Sequence, residues 1–228
     1  PLAADKPIKK VQDMNYLGVA IDQRLTWSLD STKKISKAKK AIGCIQRLLK
    51  NQVPRRVLQR LLSAKIVPIF LYSMTVTYPR NRTDQIALER LNRYILRLGT
   101  NDFSSPYSTL LQTTNCLPVY KKVLYRRIGL CQSYCNDKRY LPPHTIGPFA
   151  QNPRTRQRFH NDALDVVNTT GLQYRDSALE ISIQSWNRVP QDILRNGPSN
   201  VAKRLAKNGY DDLHWVDFTA MAAATRVL

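Results

Sequence analysis

Two spacings of apolar residues follow one another from the start of the chain. Between residues 8 and 27, Ile8, Val11, Tyr16, Leu17, Val19 and Ile21 supply β-formers, with Asp13 and Asn15 as turn residues between them. That pattern predicts strand, turn, strand. Gly18 falls in the middle of the extended stretch, where a glycine marks a bulge or lets another group approach the backbone. The spacing then changes. Asp30 or Ser31 is a suitable N-cap, and Ile35, Ala38, Ile42, Ile45 and Leu49 recur at intervals of three, four, three and four. Those intervals gather all five on one face of a helix that ends near Lys50.

Helical patterns continue. Pro54 suits the first position of a second helix with Val57, Leu58, Leu61 and Leu62 inward, and Pro68 is expected to kink or end it. Thr83 is the expected cap of a third helix running to Gly99, with Ile86, Leu91, Ile95 and Leu98 facing in. Pro118 opens a fourth, carrying Val123, Leu124, Ile128 and Cys131. Pro142, Pro143, Pro148 and Pro153 interrupt any regular pattern, so 141–176 reads as a Pro/Arg-rich linker. Ser177-Ala178-Leu179-Glu180 is a capping box, leading into a short helix with Ile181 and Trp186 that Pro190 stops. Ser199 caps another, with Val201 and Leu205 buried and Gly209 as its stop. The expected class is therefore mainly α: a β-hairpin within 1–30, a helical bundle over 31–140, the linker, and a small helical C-terminal unit over 177–228.

Charge changes this picture more than overall composition does. At 228 residues and 43% hydrophobic the chain has material for a core. Its net charge is +20, which favours polyanionic partners. The excess is uneven. Residues 1–65 hold 15 Lys+Arg against 4 Asp+Glu, residues 66–161 hold 14 against 4, and residues 162–228 hold 7 against 8. The first two-thirds carry the whole imbalance. On the first long helix, Lys33, Lys37, Lys40 and Arg47 lie opposite the apolar face, and Arg56 and Arg60 face away from the core on the second. From Ser31 to Lys65 there are eleven basic residues and no acidic one. A merely solvated face mixes signs to form pairs one turn apart. An acid-free face suits phosphates, and such binding is salt-sensitive and largely blind to base sequence. The longest apolar run, Ile66 to Tyr72, is seven residues and contains Pro68, too short to span a bilayer. An interfacial helix would set bulky apolar side chains beside its basic face, so no membrane partner is expected.

Other candidate chemistry is thin. Cys131, Cys135 and His144 have the spacing of three zinc ligands, but Pro148 or Phe149 stands where a fourth would close the site; core cysteines are the expected reading. Tyr210-Asp211-Asp212 brings an aromatic next to two carboxylates, without the flanking β-formers that would hold two metal ions. Four cysteines without a regular pairing pattern fit a reducing compartment.

Three blocks carry a family resemblance. Tyr16-Leu17-Gly18-Val19-Ala20-Ile21-Asp22 with Leu25-Thr26-Trp27, then the Lys/Ala-rich helix into Ala41-Ile42-Gly43, resembles the region after the palm in reverse transcriptases of non-LTR (LINE-type, jockey-like) retrotransposons. Ile66 to Tyr72, followed by Leu88-Glu89-Arg90 and Arg93 to Arg97, resembles a second block, and Ser185-Trp186-Asn187-Arg188-Val189-Pro190 a third. Asp30 or its neighbours stand where the family usually has a histidine, and Tyr78 where it has a tryptophan. The resemblance implies a primer-grip hairpin, with Tyr16, Leu17 and Gly18 positioning the primer end. It also implies a helical thumb along the template–primer duplex, with RNA and DNA as partners. The upstream palm and fingers of the same polyprotein would carry the catalytic aspartates and Mg2+. No catalytic residue, metal site or cofactor is expected in this chain, so it would be inactive alone, in an intracellular, nuclear and cytoplasmic ribonucleoprotein. Pro1 in place of methionine is likewise expected of a fragment. The alternative is a retrotransposon-derived, noncatalytic nucleic-acid-binding or scaffold protein.

Overall fold

The computed structural model describes residues 11–49, 53–136, 163–164, 178–195, 201 and 205. It is mostly helical, with a two-stranded antiparallel hairpin at the front. Strands β1 (Asp13–Tyr16) and β2 (Val19–Asp22) pair with Asp13 opposite Asp22 and Tyr16 opposite Val19. The turn is Leu17-Gly18, so Asp13 and Asn15 are strand residues and Gly18 is neither mid-strand nor a bulge. The reason is conformational. Leu17 and Gly18 have φ of 49° and 78°, and a two-residue turn with both φ positive matches the twist of the strands it joins. Gly18, the only glycine before residue 43, takes its share of that geometry at no steric cost.

β1 is exposed throughout, while β2 docks through Ala20, whose N–H donates to Asp30 Oδ1 at 3.1 Å. Asp22 then folds the chain back. Its carboxylate accepts the Thr26 N–H and hydroxyl, both at 2.9 Å, and the Trp27 N–H at 3.0 Å. Burial pushes the Asp22 carboxyl up, but these hydrogen bonds outweigh it and hold the group below its usual range. The loop they close starts helix α1 (Ser28–Leu49) earlier than expected, so Asp30 lies inside the first turn and is not its cap.

Helix α2 (Arg55–Leu61), a π-helical turn (Leu62–Ile66) and helix α3 (Val67–Leu71) are continuous. Pro68 does not stop the helix. Its missing N–H and its ring would conflict with an α-helical carbonyl four residues earlier, and the widened turn just before it relieves that conflict. The wider turn also sets the inward row: Leu62, Ile66 and Phe70 are buried, whereas Val57, expected inside, is 50% exposed. Helix α4 (Met74–Thr77) follows, then α5 (Arg82–Thr100). Asn81, not Thr83, caps α5, accepting the Thr83 N–H at 3.1 Å, and Asn101 ends it at φ 58°. Gly99 instead lets α2 approach: a Cβ there would sit 3.4 Å from Gln59 Cγ.

The sequence pattern assigned nothing between Gly99 and Pro118, where α6 (Tyr107–Thr113) is found. Helix α7 (Val119–Asn136) buries Val123, Leu124, Ile128 and Cys131 as expected. Helix α8 (Ala178–Asn187) packs along α7, with α9 (Gln191–Arg195) after it. Trp186, Ile193, Val201 and Leu205 lie in the same core as Ile42, Phe70 and Leu124, so the described part of the tail shares the core of the bundle. Asn187 fastens a second segment, accepting the Leu164 N–H at 2.9 Å and donating to its carbonyl at 2.8 Å. Ser177, Ser199 and Gly209 lie outside the described residues, as do most of 141–176 and all of Tyr210-Asp211-Asp212. Among the described residues no helix is long and apolar enough to cross a membrane.

Candidate nucleic-acid interface

The site assembles around the start of α1. A cavity of about 340 Å³ is lined by Gly18, Asp30, Lys33, Lys34, Lys37, Pro68, Ile69 and Tyr72. Three elements meet there. Tyr72, at the end of α3, fixes the hairpin: its hydroxyl donates to the Leu17 carbonyl at 2.9 Å, and a Cβ on Gly18 would lie 3.8 Å from its ring. α1 contributes one flank and the α3 apolar residues the floor.

The lysines divide into two kinds. Lys34 is buried, and its ammonium donates to the Asp30 carboxylate, to Ser73 Oγ at 2.7 Å and to Thr77 Oγ1 at 3.0 Å. Burial pushes its pKa down, and Asp30 opposes that shift. Lys34 is thus a structural cation tying α1 to α4. Lys33 and Lys37 are exposed and pair with no carboxylate among the described residues. With Lys34 neutralised by Asp30, these two leave the cavity with uncompensated positive charge. Beside a low-dielectric wall such charge acts on an anion more strongly than it would in open water.

The other expected contacts fall around this centre. Lys40 and Arg47 are exposed farther along α1, at steps of about 10 Å from Lys33. Arg56 and Arg60 are exposed and equally unpaired, but they stand on α2, which packs on α5, and do not line the cavity. Tyr16 and Leu17 are 59% and 74% exposed on the hairpin tip and contribute no side chain to the cavity wall. Sequence reasoning missed Tyr72 as the residue that joins hairpin to bundle, and it gave Lys34 no role beyond its place among the eleven basic residues of the stretch. The available signal was Asp30 one turn before Lys34, a spacing that favours pairing. Cys131 is buried in the core, with its thiol pushed up to about 12 by burial and by Cys135, which makes it a poor thiolate ligand. His144 lies outside the described residues.

The Asp30–Lys34 pair gives a direct expectation. Asp30→Asn keeps an acceptor for the Ala20 N–H but leaves Lys34 without its counter-charge, at a cost of about 2 kcal/mol. The remaining lysine would have a still lower folded pKa than its unfolded value. Such a group destabilises the fold while charged and ceases to do so as pH rises through the folded pKa. Thermal melts should therefore show the deficit of Asp30→Asn shrinking towards alkaline pH; a deficit that is constant or grows would contradict the role given to Lys34.

Comparison with protein-family models, curated proteins and solved structures finds no match for this chain.

Proposed function

We propose that this chain is the template–primer-holding part of a non-LTR retrotransposon reverse transcriptase, with its helices acting as a thumb-like bundle. The observation that carries the reading is the cavity in which the Gly18 turn meets Lys33 and Lys37, continued by Lys40 and Arg47 along the same helix. A strand end placed at the hairpin would have the phosphates behind it facing α1. The partners are RNA and DNA as a hybrid duplex. The chemistry of nucleotide addition belongs to a palm upstream in the same polyprotein, with its Mg2+, in an intracellular ribonucleoprotein, and the role of this chain is positioning. Small errors in positioning cost rate steeply.

The test is the salt dependence of binding to an RNA–DNA hybrid. If the six exposed cations Lys33, Lys37, Lys40, Arg47, Arg56 and Arg60 each neutralise a phosphate, log K should fall against log salt with a slope of about −5. A slope near zero, or equal binding to anionic vesicles, would remove the reading.

A further inference from the structure

The cavity beside α1 has a wall that charge alone does not account for. Pro68 and Tyr72 stand one turn apart and are exposed, Ile69 beside them is half-buried, and all three line it. Apolar side chains left outside the core on a concave surface mark a place where an apolar group docks. The Tyr72 ring is 53% exposed and is held at three points. Its hydroxyl donates to the Leu17 carbonyl at 2.9 Å, the Lys34 ammonium lies 5.9 Å from the ring centroid, and Gly18 stands at its edge. A Cβ on residue 18 would touch Tyr72 Cε1 at 3.8 Å. A side chain there would crowd the ring, and glycine leaves its edge open.

The polar part of the same cavity selects by charge. The Asp30 carboxylate is committed to the Ala20 N–H and to Lys34, and Lys34 is committed in turn to Ser73 and Thr77. Lys33 and Lys37 remain. Both line the cavity, both are exposed, and neither pairs with a carboxylate among the described residues. Residues one helical turn apart have Cβ atoms about 5–6 Å from each other, so these two accessible ammonium groups reach a single phosphate. At about 340 Å³ the cavity lies near the small end of ligand sites, roughly 300–1,000 Å³. It has room for one nucleotide and not for a duplex.

We propose that this cavity is a pocket for one unpaired nucleotide, with its base against Tyr72, Pro68 and Ile69 and its phosphate between Lys33 and Lys37. A planar aromatic body carrying a phosphate is what the two parts of the wall recognise together. An aliphatic phosphate lacks the first feature and a nucleoside the second. The nucleotide is supplied either by the overhanging end of the strand held along α1 or by a free nucleoside monophosphate. The first source rests on the template–primer reading and adds to it that the strand end leaves the duplex at the hairpin. The second does not rest on that reading.

The experiment uses 2-aminopurine, whose fluorescence is quenched on stacking. The full chain is titrated with an RNA–DNA hybrid carrying the probe as a one-nucleotide overhang, and separately with free 2-aminopurine nucleoside monophosphate. Quenching by the overhang, with affinity about tenfold above that of the blunt hybrid, identifies the strand end as the source. Quenching by the free monophosphate alone identifies the free nucleotide. Tyr72→Phe keeps the ring and loses the bond to Leu17, so it should keep the quenching. Tyr72→Leu keeps apolar bulk and loses the ring, so the quenching should disappear. Comparing these two variants separates loss of the ring from release of the hairpin. Lys33→Gln/Lys37→Gln should weaken binding of the free monophosphate roughly tenfold and leave the unphosphorylated 2-aminopurine nucleoside unaffected. No quenching with either probe, or quenching undiminished in Tyr72→Leu, would overturn the pocket. Should the pocket fail while the blunt hybrid still binds with the expected salt slope, the template–primer reading stands. Quenching by the free monophosphate without any binding of the hybrid would remove that reading and leave the pocket.

Discussion

Replacing Lys33, Lys40 and Arg47 together with glutamate is expected to weaken binding to an RNA–DNA hybrid on the order of a hundredfold near 0.1 M salt. The three lie seven residues apart on α1, opposite the side that buries Ala38 and Ile42, and all are exposed. None pairs with a carboxylate among the described residues, so their reversal removes no contact that holds the fold. The melting temperature should stay close to that of the parent chain. The salt slope should become shallower by about 3, one for each phosphate no longer neutralised. The loss should be equal across hybrid sequences, because phosphate contacts carry no base information. Arg82→Glu, an exposed cation at the start of α5, is the control for net charge alone and should cost far less. If the triple variant and Arg82→Glu lose affinity equally, the α1 face is not the interface.

The periodic part of this architecture was legible in the residues, and the parts set by backbone sterics or distant partners were not. Helix α1 announces itself because its apolar intervals allow no other regular structure, and α7 likewise from Val123 to Cys131. The cationic side of α1 follows directly from the same periodicity. The hairpin was visible as a pair of strands, but its turn was misplaced. Asp13 and Asn15 have turn chemistry, yet only Leu17-Gly18 takes positive φ at both positions, and that outcome depends on the twist of the paired strands as well as on the glycine. Pro68 interrupts the α-helical pattern without ending the helix, for a related reason. A proline forbids an α-helical turn around it but not a π-helical one, and the extra room is bought by packing Leu62, Ile66 and Phe70 into the core. Helix α6 escaped because its seven residues are too few for a period to show. Within the candidate site, exposure of Lys33, Lys37, Lys40, Arg47, Arg56 and Arg60 followed from helix geometry. Burial of Lys34 did not, since it depends on Ser73 and Thr77, some forty residues later.

Glu89 should be the most sensitive single position for stability. It sits on α5, fully buried, and its two oxygens organise two other helices. Oε2 accepts the Tyr107 hydroxyl of α6 at 2.7 Å and the Val119 N–H at 3.1 Å, while Oε1 accepts the Tyr120 N–H at 2.9 Å. The last two are free N–H groups of the first turn of α7, where a carboxylate also meets the positive end of the helix dipole. Asn92 donates to the same Tyr107 hydroxyl at 2.6 Å and receives Lys122 Nζ at 3.3 Å. Glu89→Ala orphans three donors at once and opens a void, so the expected loss is about 3–5 kcal/mol. For a chain of this size that is a fall of roughly 10 °C in Tm. Tyr107→Phe removes a single donor and should cost far less. The pH dependence has a definite sign. Burial pushes the Glu89 carboxyl up, only partly offset by the hydrogen bonds from Tyr107, Tyr120 and Val119 and by the charge of Lys122. A carboxyl with a raised folded pKa binds its proton more tightly in the native state. Its contribution is therefore complete below the unfolded value and declines as pH rises through the folded one. The advantage of the parent chain over Glu89→Gln should accordingly be greatest in mild acid and narrow towards neutral pH. A gap that widens with pH would mean that the three donors, rather than burial, dominate the carboxylate, and that α7 is held by a fully ionised Glu89.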